Sequence, residues 1–222
     1  MQRATRLLGG AALLAAVVVA GTSPLSAQVT DDVVNSKHNM RNESGLTDYG
    51  EVCVYCHTPH AGQSIVALWN RDVNTGSYSM YDAVFSSTMD MTVAASPQGV
   101  SLACLSCHDG TIGLDVILNV PNADTTLTGD PSRTISANAG QFFANLGTDL
   151  QNDHPISVTY DETVDLAFNA PTGTPPRVGG TLPLYSGRVE CGSCHNPHNT
   201  TNEPFLRVSN AASALCTTCH IK

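Results

Sequence analysis

Eight cysteines stand in the sequence as four pairs, Cys53/Cys56, Cys104/Cys107, Cys191/Cys194 and Cys216/Cys219, and two residues separate the thiols of every pair. A histidine follows each second cysteine at once: His57, His108, His195 and His220. Cysteines in an exported chain ordinarily suggest disulfides, and C-x-x-C pairs can be the knuckles of a zinc ribbon. Neither chemistry uses a histidine at one fixed offset four times over. The pattern C-x-x-C-H is the attachment signature of c-type haem. Positions i, i+3 and i+4 share a face of a helical turn, so both thiols can add to the two vinyl groups on one side of a porphyrin while the imidazole beneath reaches the iron. The expectation is four covalently bound haem c, held by the eight cysteines, with His57, His108, His195 and His220 as the first axial ligands.

Four histidines are left over, His38, His60, His154 and His198, one for each remaining axial position. Ligation of all four irons by two histidines follows, and it favours lower potentials than a histidine/methionine pair. In the segments "CHTPH" and "CHNPH", Pro59 and Pro197 drive the preceding residue out of helical geometry. Three extended residues reach only about 10 Å, so His60 and His198 belong to different haems from His57 and His195. An internal duplication runs His38, "CVYCHTPH", "CLSCH", then His154, "CGSCHNPH", "CTTCH". The simplest assignment on it gives His60 to the haem at Cys104/Cys107 and His198 to the haem at Cys216/Cys219, leaving His38 and His154 for the other two irons in either order. Met40, Met80, Met89 and Met91 recur with no motif and are expected to pack against porphyrin, as is Trp69.

The elements that must carry these residues look slight. Tracts such as "NVPNADTTLTGDPSRTISANAG" and "NAPTGTPPRVGG" read as turn and loop, and a structureless run of that length is unusual inside a compact domain. The fold class expected is therefore mostly irregular coil, with short helices at the haem motifs and a minimal β-hairpin, wrapped around four haems that replace a polypeptide core. The hairpin is placed in "LPLYSGRVEC", around Ser186 and Gly187, where it delivers Cys191. Asp109-Gly110 reads as a turn.

Arg3 and Arg6, the apolar run "LLGGAALLAAVVVA", Pro24 and Ser26-Ala27 have the order of a secretory signal peptide over residues 1–27, and the run is shorter than the roughly 20 residues of a membrane span. Residues 28–222 form the expected single domain, with pseudo-duplicated halves at about 28–130 and 140–222. Losing two of ten basic residues and none of nineteen acidic ones gives the exported chain a net charge of −11, which disfavours nucleic acid and anionic lipid. No Ser/His/Asp arrangement, phosphate-binding loop or dinucleotide glycine pattern occurs, so no catalytic residue is assigned. The sequons at Asn42 and Asn199 stay unassigned.

The blocks "CHTPH", "LWNR", "CLSCHDGT", "NDHPIS", "VECGSCHNPH" and "FLRVSNAASALCTTCH" resemble those of secreted multihaem c-type cytochromes, most closely the tetrahaem subunits of extracellular cytochrome nanowires. The resemblance runs through most of residues 28–222. It implies electron transfer rather than catalysis, a cell-surface filament built head to tail, and a continuous haem stack along it. It also implies that a histidine near one subunit's N-terminus completes an iron of the adjacent subunit, a role that falls here on His38. A soluble periplasmic tetrahaem shuttle is the alternative. A multihaem reductase is the third possibility, and it would need an open iron, which eight histidines on four irons do not leave.

Overall fold

Helical turns occur where the cysteine motifs stand. The computed structural model describes residues 31–135 and 144–221; the leader expected over residues 1–27 lies outside them. A short helix, α1, spans Asp31–Val34. The first motif starts on a 3-10 turn, Val52–Tyr55, the second closes the ten-residue helix α2, Gly99–His108, the third forms α3, Cys191–Cys194, and the fourth ends α4, Ala214–Cys219. The backbone amides of His57, His195 and His220 donate to the carbonyls of Cys53, Cys191 and Cys216 at 2.8 to 2.9 Å, closing the turn that puts two thiols and an imidazole on one face. Helix α2 stops because Asp109 and Gly110 cap it, Gly110 with φ of 71° in the left-handed region that glycine enters without a Cβ clash.

Four two-residue strands make two antiparallel ladders. Strand β1 (Val158–Thr159) pairs with β4 (Arg188–Val189), Val158 opposite Val189, and β2 (Arg177–Val178) pairs with β3 (Leu182–Pro183), Val178 opposite Leu182. The turn at Ser186 and Gly187 is where the sequence places it: Tyr185 and Arg188 exchange backbone hydrogen bonds of 2.9 and 3.0 Å, and both turn residues have positive φ, 51° and 78°, as a two-residue hairpin loop requires. Its flanking strands nevertheless find other partners, β1 for β4 and β2 for β3, so the expected local hairpin is the junction of two ladders.

Several loops are ordered by their own side chains. Asp82, Asp124, Asp130 and Asp161 each accept the backbone amide two residues on, at 2.8 to 3.0 Å. Thr126, Ser132 and Thr163 add hydroxyl bonds to the last three of these carboxylates, which holds each below the usual carboxylate range. Such Asx turns replace ladder hydrogen bonds in a chain with little regular structure.

Two small apolar clusters complete the fold. Tyr78, Met80, Leu105 and Leu150 form one, and Tyr160, Val178, Leu182 and Leu184 the other, with Leu215 and Cys219 packed on it. Leu105 lies between Cys104 and Cys107 and is fully buried, so α2 turns its spacer residue to the cluster. Met80 and Met91 are buried at 6 and 7% exposure. The sequence suggested no polypeptide core; the structure builds two, each anchored to a motif helix.

Candidate functional site

Three pairs of imidazoles face one another. The ring centroids of His38 and His108 are 6.2 Å apart, those of His57 and His198 6.1 Å, and those of His154 and His220 6.4 Å. The first and third pairs are edge-to-face, with interplanar angles of 80° and 73°, and the second is nearly parallel at 20°. Two imidazoles on opposite sides of one metal ion have centroids roughly 6 Å apart, once the reach of each ring is added to two bonds of about 2 Å. Each pair joins one motif histidine (His108, His57 or His220) to one histidine outside the first axial set (His38, His198 or His154). Among the described residues no group of three or more His, Cys, Asp or Glu side chains gathers as a metal site. An ion held between such a pair would take two nitrogens from the protein, and a porphyrin would supply its other donors.

The second ring nitrogen is held as ligation requires. Nδ1 of His108 is 2.7 Å from the Ala144 carbonyl, that of His154 3.0 Å from the Pro155 carbonyl and that of His195 2.9 Å from the Pro204 carbonyl. A proton on Nδ1 donated to a carbonyl leaves Nε2 with its lone pair free for a metal. His38 is the exception, for its buried Nδ1 has no partner and its ring is stacked on Phe205 with centroids 4.5 Å apart. Burial, and then the neighbouring His108, His198 and His195, push the His38 pKa down to about 4, so this imidazole is neutral at physiological pH and able to ligate. The same neighbours show that the His57/His198 and His38/His108 pairs and His195 share one region. His60 is exposed, and the structure brings it to no ring contact with another histidine.

The pairing differs from the assignment drawn from the duplication. His198 stands against His57, not against His220; His154 stands against His220; and His38, rather than His60, stands against His108. His38 also faces a histidine of its own chain. His57 and His198 meet across the "CHTPH" and "CHNPH" loops.

The thiols lie where these rings converge. No disulfide joins any of the eight cysteines. Cys104 and Cys191, of the second and third motifs, are in hydrogen-bond contact, which together with burial holds Cys104 up and, against burial, draws Cys191 down. Burial pushes Cys56 up to about 12 and Cys194 up to about 11, so both are neutral thiols. Trp69 packs edge-on to His57, 5.8 Å between centroids.

Sequence reasoning missed two side chains. Glu190, buried just before Cys191, accepts hydrogen bonds from the hydroxyls of Ser101 in α2 and Ser157 before β1 and from the backbone amide of Ser193, whose hydroxyl accepts the Glu190 amide at 3.0 Å. Ser101 Oγ also accepts the Cys191 amide at 2.9 Å. One carboxylate thus locks the second motif to the third. Glu190→Ala is expected to strip three buried donors of their partner and cost about 3 kcal/mol or more, read by denaturant unfolding, with Glu190→Gln milder. Burial lifts the Glu190 carboxyl above its ordinary value of 4.5. The folded chain therefore holds that proton more tightly than the unfolded one, and its contribution is present below pH 4.5 and lost as pH rises through the raised value; Glu190→Gln removes it. Arg71 is the second such residue. A glutamate ahead of a cysteine and an arginine in a loop carry no periodic signal, so only the tertiary structure exposes them.

Residues 183–222, which hold the third and fourth motifs, match the family model of the doubled CXXCH motif. No curated protein matches the chain. The doubled motif indicates covalently bound c-type haem, and together with the facing imidazoles it supports a multihaem c-type cytochrome acting in electron transfer.

Proposed function

We propose that this chain is a tetrahaem electron conduit in which every iron lies between two imidazoles, exported from the cell and assembled head to tail into an extracellular filament that carries electrons to external acceptors. The observation that carries the tetrahaem reading is the set of three histidine pairs at 6.1 to 6.4 Å, each belonging to a different C-x-x-C-H motif. His60 and His195 are the two histidines left. They lie on the same two loops as His57 and His198, so a crossed arrangement in which each loop gives one ligand to each of two irons assigns them to the haem at Cys191/Cys194. The haem supplies one-electron chemistry at iron; the chain attaches it, fixes both axial nitrogens and leaves no iron open to substrate.

Intact-mass spectrometry of the exported protein is expected to find four haems, and electron paramagnetic resonance only low-spin ferric iron. Fewer than four haems overturns the count, and a high-spin signal that shifts with nitrite or cyanide turns the reading towards a reductase. Filament assembly draws its support from the resemblance. Electron microscopy of shed material tests it. One observation favours the second reading, a soluble periplasmic tetrahaem shuttle: His38 stands against His108 of its own chain, so no neighbouring subunit is needed to complete that iron.

A further inference from the structure

Arg71 has no accessible surface, and a guanidinium stays protonated in proteins. Nη1 donates to the Leu114 carbonyl at 2.7 Å, and Nη2 to the Gly113 carbonyl at 2.7 Å and the Ser106 carbonyl at 3.2 Å. Nε is buried without a partner. Among the described residues the ion pairs are Arg41 with Asp48 and Arg133 with Asp130, so no carboxylate neutralises Arg71. The nearby buried carboxylates face elsewhere. Asp109 accepts from Tyr78, Asn74 and Thr111, and Asp115 from the amides of Thr47 and Asp130.

The charge sits between two attachment points. Ser106 lies inside the second motif, between Cys104 and Cys107. Asn70, next to Arg71, donates its amide to the carbonyl of Cys56 in the first motif at 2.9 Å. The opposite sign comes from the buried Glu190 carboxyl, which adjoins Cys191 and reaches the second motif only through Ser101 of α2. Arg207 donates to the Gly192 carbonyl at 2.7 Å but is half-exposed, and solvent and salt screen an exposed charge far more than a buried one.

Reduction takes one electron at iron, ferric to ferrous, and lowers the positive charge there by one. A fixed buried cation nearby therefore favours the reduced form, and a buried carboxylate the oxidised one. We infer that Arg71 is a built-in positive charge that gives the haems of the first two motifs the most positive potentials in the chain, so that electrons entering at the C-terminal motifs come to rest in the N-terminal half. This rests on the tetrahaem reading above.

The test is a potentiometric titration with dithionite as reductant, each haem followed by its paramagnetically shifted NMR signals, on the wild type, Arg71→Met and Arg71→Lys, with haem content counted by intact mass. At a fixed potential, Arg71→Met is expected to move the reduced-to-oxidised ratio of the first two haems about tenfold towards the oxidised form, about 59 mV for one electron, with less than about threefold change at the other two. Arg71→Lys keeps the charge and is expected to stay close to wild type. Unchanged potentials in Arg71→Met at full haem content overturn the inference, and so do equal shifts in both variants, which would give Arg71 only the task of holding the 106–114 backbone. Should Arg71→Met fail to accumulate, the wild type decides alone: the most positive potentials on the C-terminal motifs overturn the inference, and on the first two motifs support it. A mass showing fewer than four haems strikes the tetrahaem reading instead, and is distinguishable from a failure of the electrostatics.

Discussion

Replacing His38 with alanine is expected to convert one low-spin iron into a high-spin iron that binds cyanide, with every haem still attached. The haems are retained because thioether bonds to cysteine, not axial nitrogen, fix them to the chain. The site opens because His38 is the imidazole opposite His108, 6.2 Å between ring centroids, and alanine offers no donor. The size of the effect is stoichiometric, one iron in four on the proposed count, and electron paramagnetic resonance and the visible spectrum both read it. Concentration separates two arrangements. If His38 ligates its own chain's iron, as the geometry has it, the wild type stays low-spin on dilution and the variant is high-spin at every concentration. If it reaches an adjacent subunit, the dilute wild type shows the high-spin signal too. A His38→Ala variant that stays wholly low-spin removes His38 from the ligand set. Continued polymerisation by that variant would separate ligation at this iron from assembly.

Export of the chain into a compartment unable to attach haem is expected to give an unfolded polypeptide that is degraded. The two apolar clusters supply only eight buried side chains between them, Tyr78, Met80, Leu105 and Leu150 in one and Tyr160, Val178, Leu182 and Leu184 in the other. Strands are two residues long and the longest helix among the described residues has ten. Ordering each backbone residue costs about 1 to 2 kcal/mol, and so little apolar burial does not offset that over nearly two hundred residues. Buried Cys56 and Cys194 point the same way. Closed into the fold and held as neutral thiols by burial, they are poor nucleophiles, so attachment belongs before or during folding. Circular dichroism and limited proteolysis of a chain made without haem ligation check this, and a protease-resistant apo form with native helix content would sink it.

How much of this is legible in the sequence depends on the range of the interaction. The four attachment motifs are local: one turn of helix sets two thiols and an imidazole on one face, and the structure does close that turn at each motif. The tight turn at Ser186-Gly187 is local too, and its left-handed backbone follows from the residue pair. The tract around Asp124 and Asp130 is legible as turns, but its order is not, because there it comes from Asp side chains capturing amides two residues on. The two apolar clusters escape for a different reason: residues such as Tyr78, Leu105 and Leu150 are scattered through the sequence with neither a helical nor a strand period, and only the folded chain gathers them.

The axial partners show the limit most clearly. The duplication gives His60 and His198 to the next motif of their own half and leaves His38 and His154 in either order. The structure crosses the halves, setting His198 against His57, and the entropy of closing a loop grows only slowly with its length, so nearness in sequence gives a histidine little advantage. Arg71 and Glu190 belong with them. Nothing in composition separates a buried guanidinium from a solvated one, and the charge of either residue acquires meaning only from the carbonyls, hydroxyls and thiols that distant segments bring to it. The amino-acid order by itself determined the cofactor chemistry, because covalent attachment is decided within five consecutive residues. Which imidazoles oppose one another, and which buried charges border the attachment sites, were decided by tertiary structure, because those relations are distances between parts of the chain that only folding brings together.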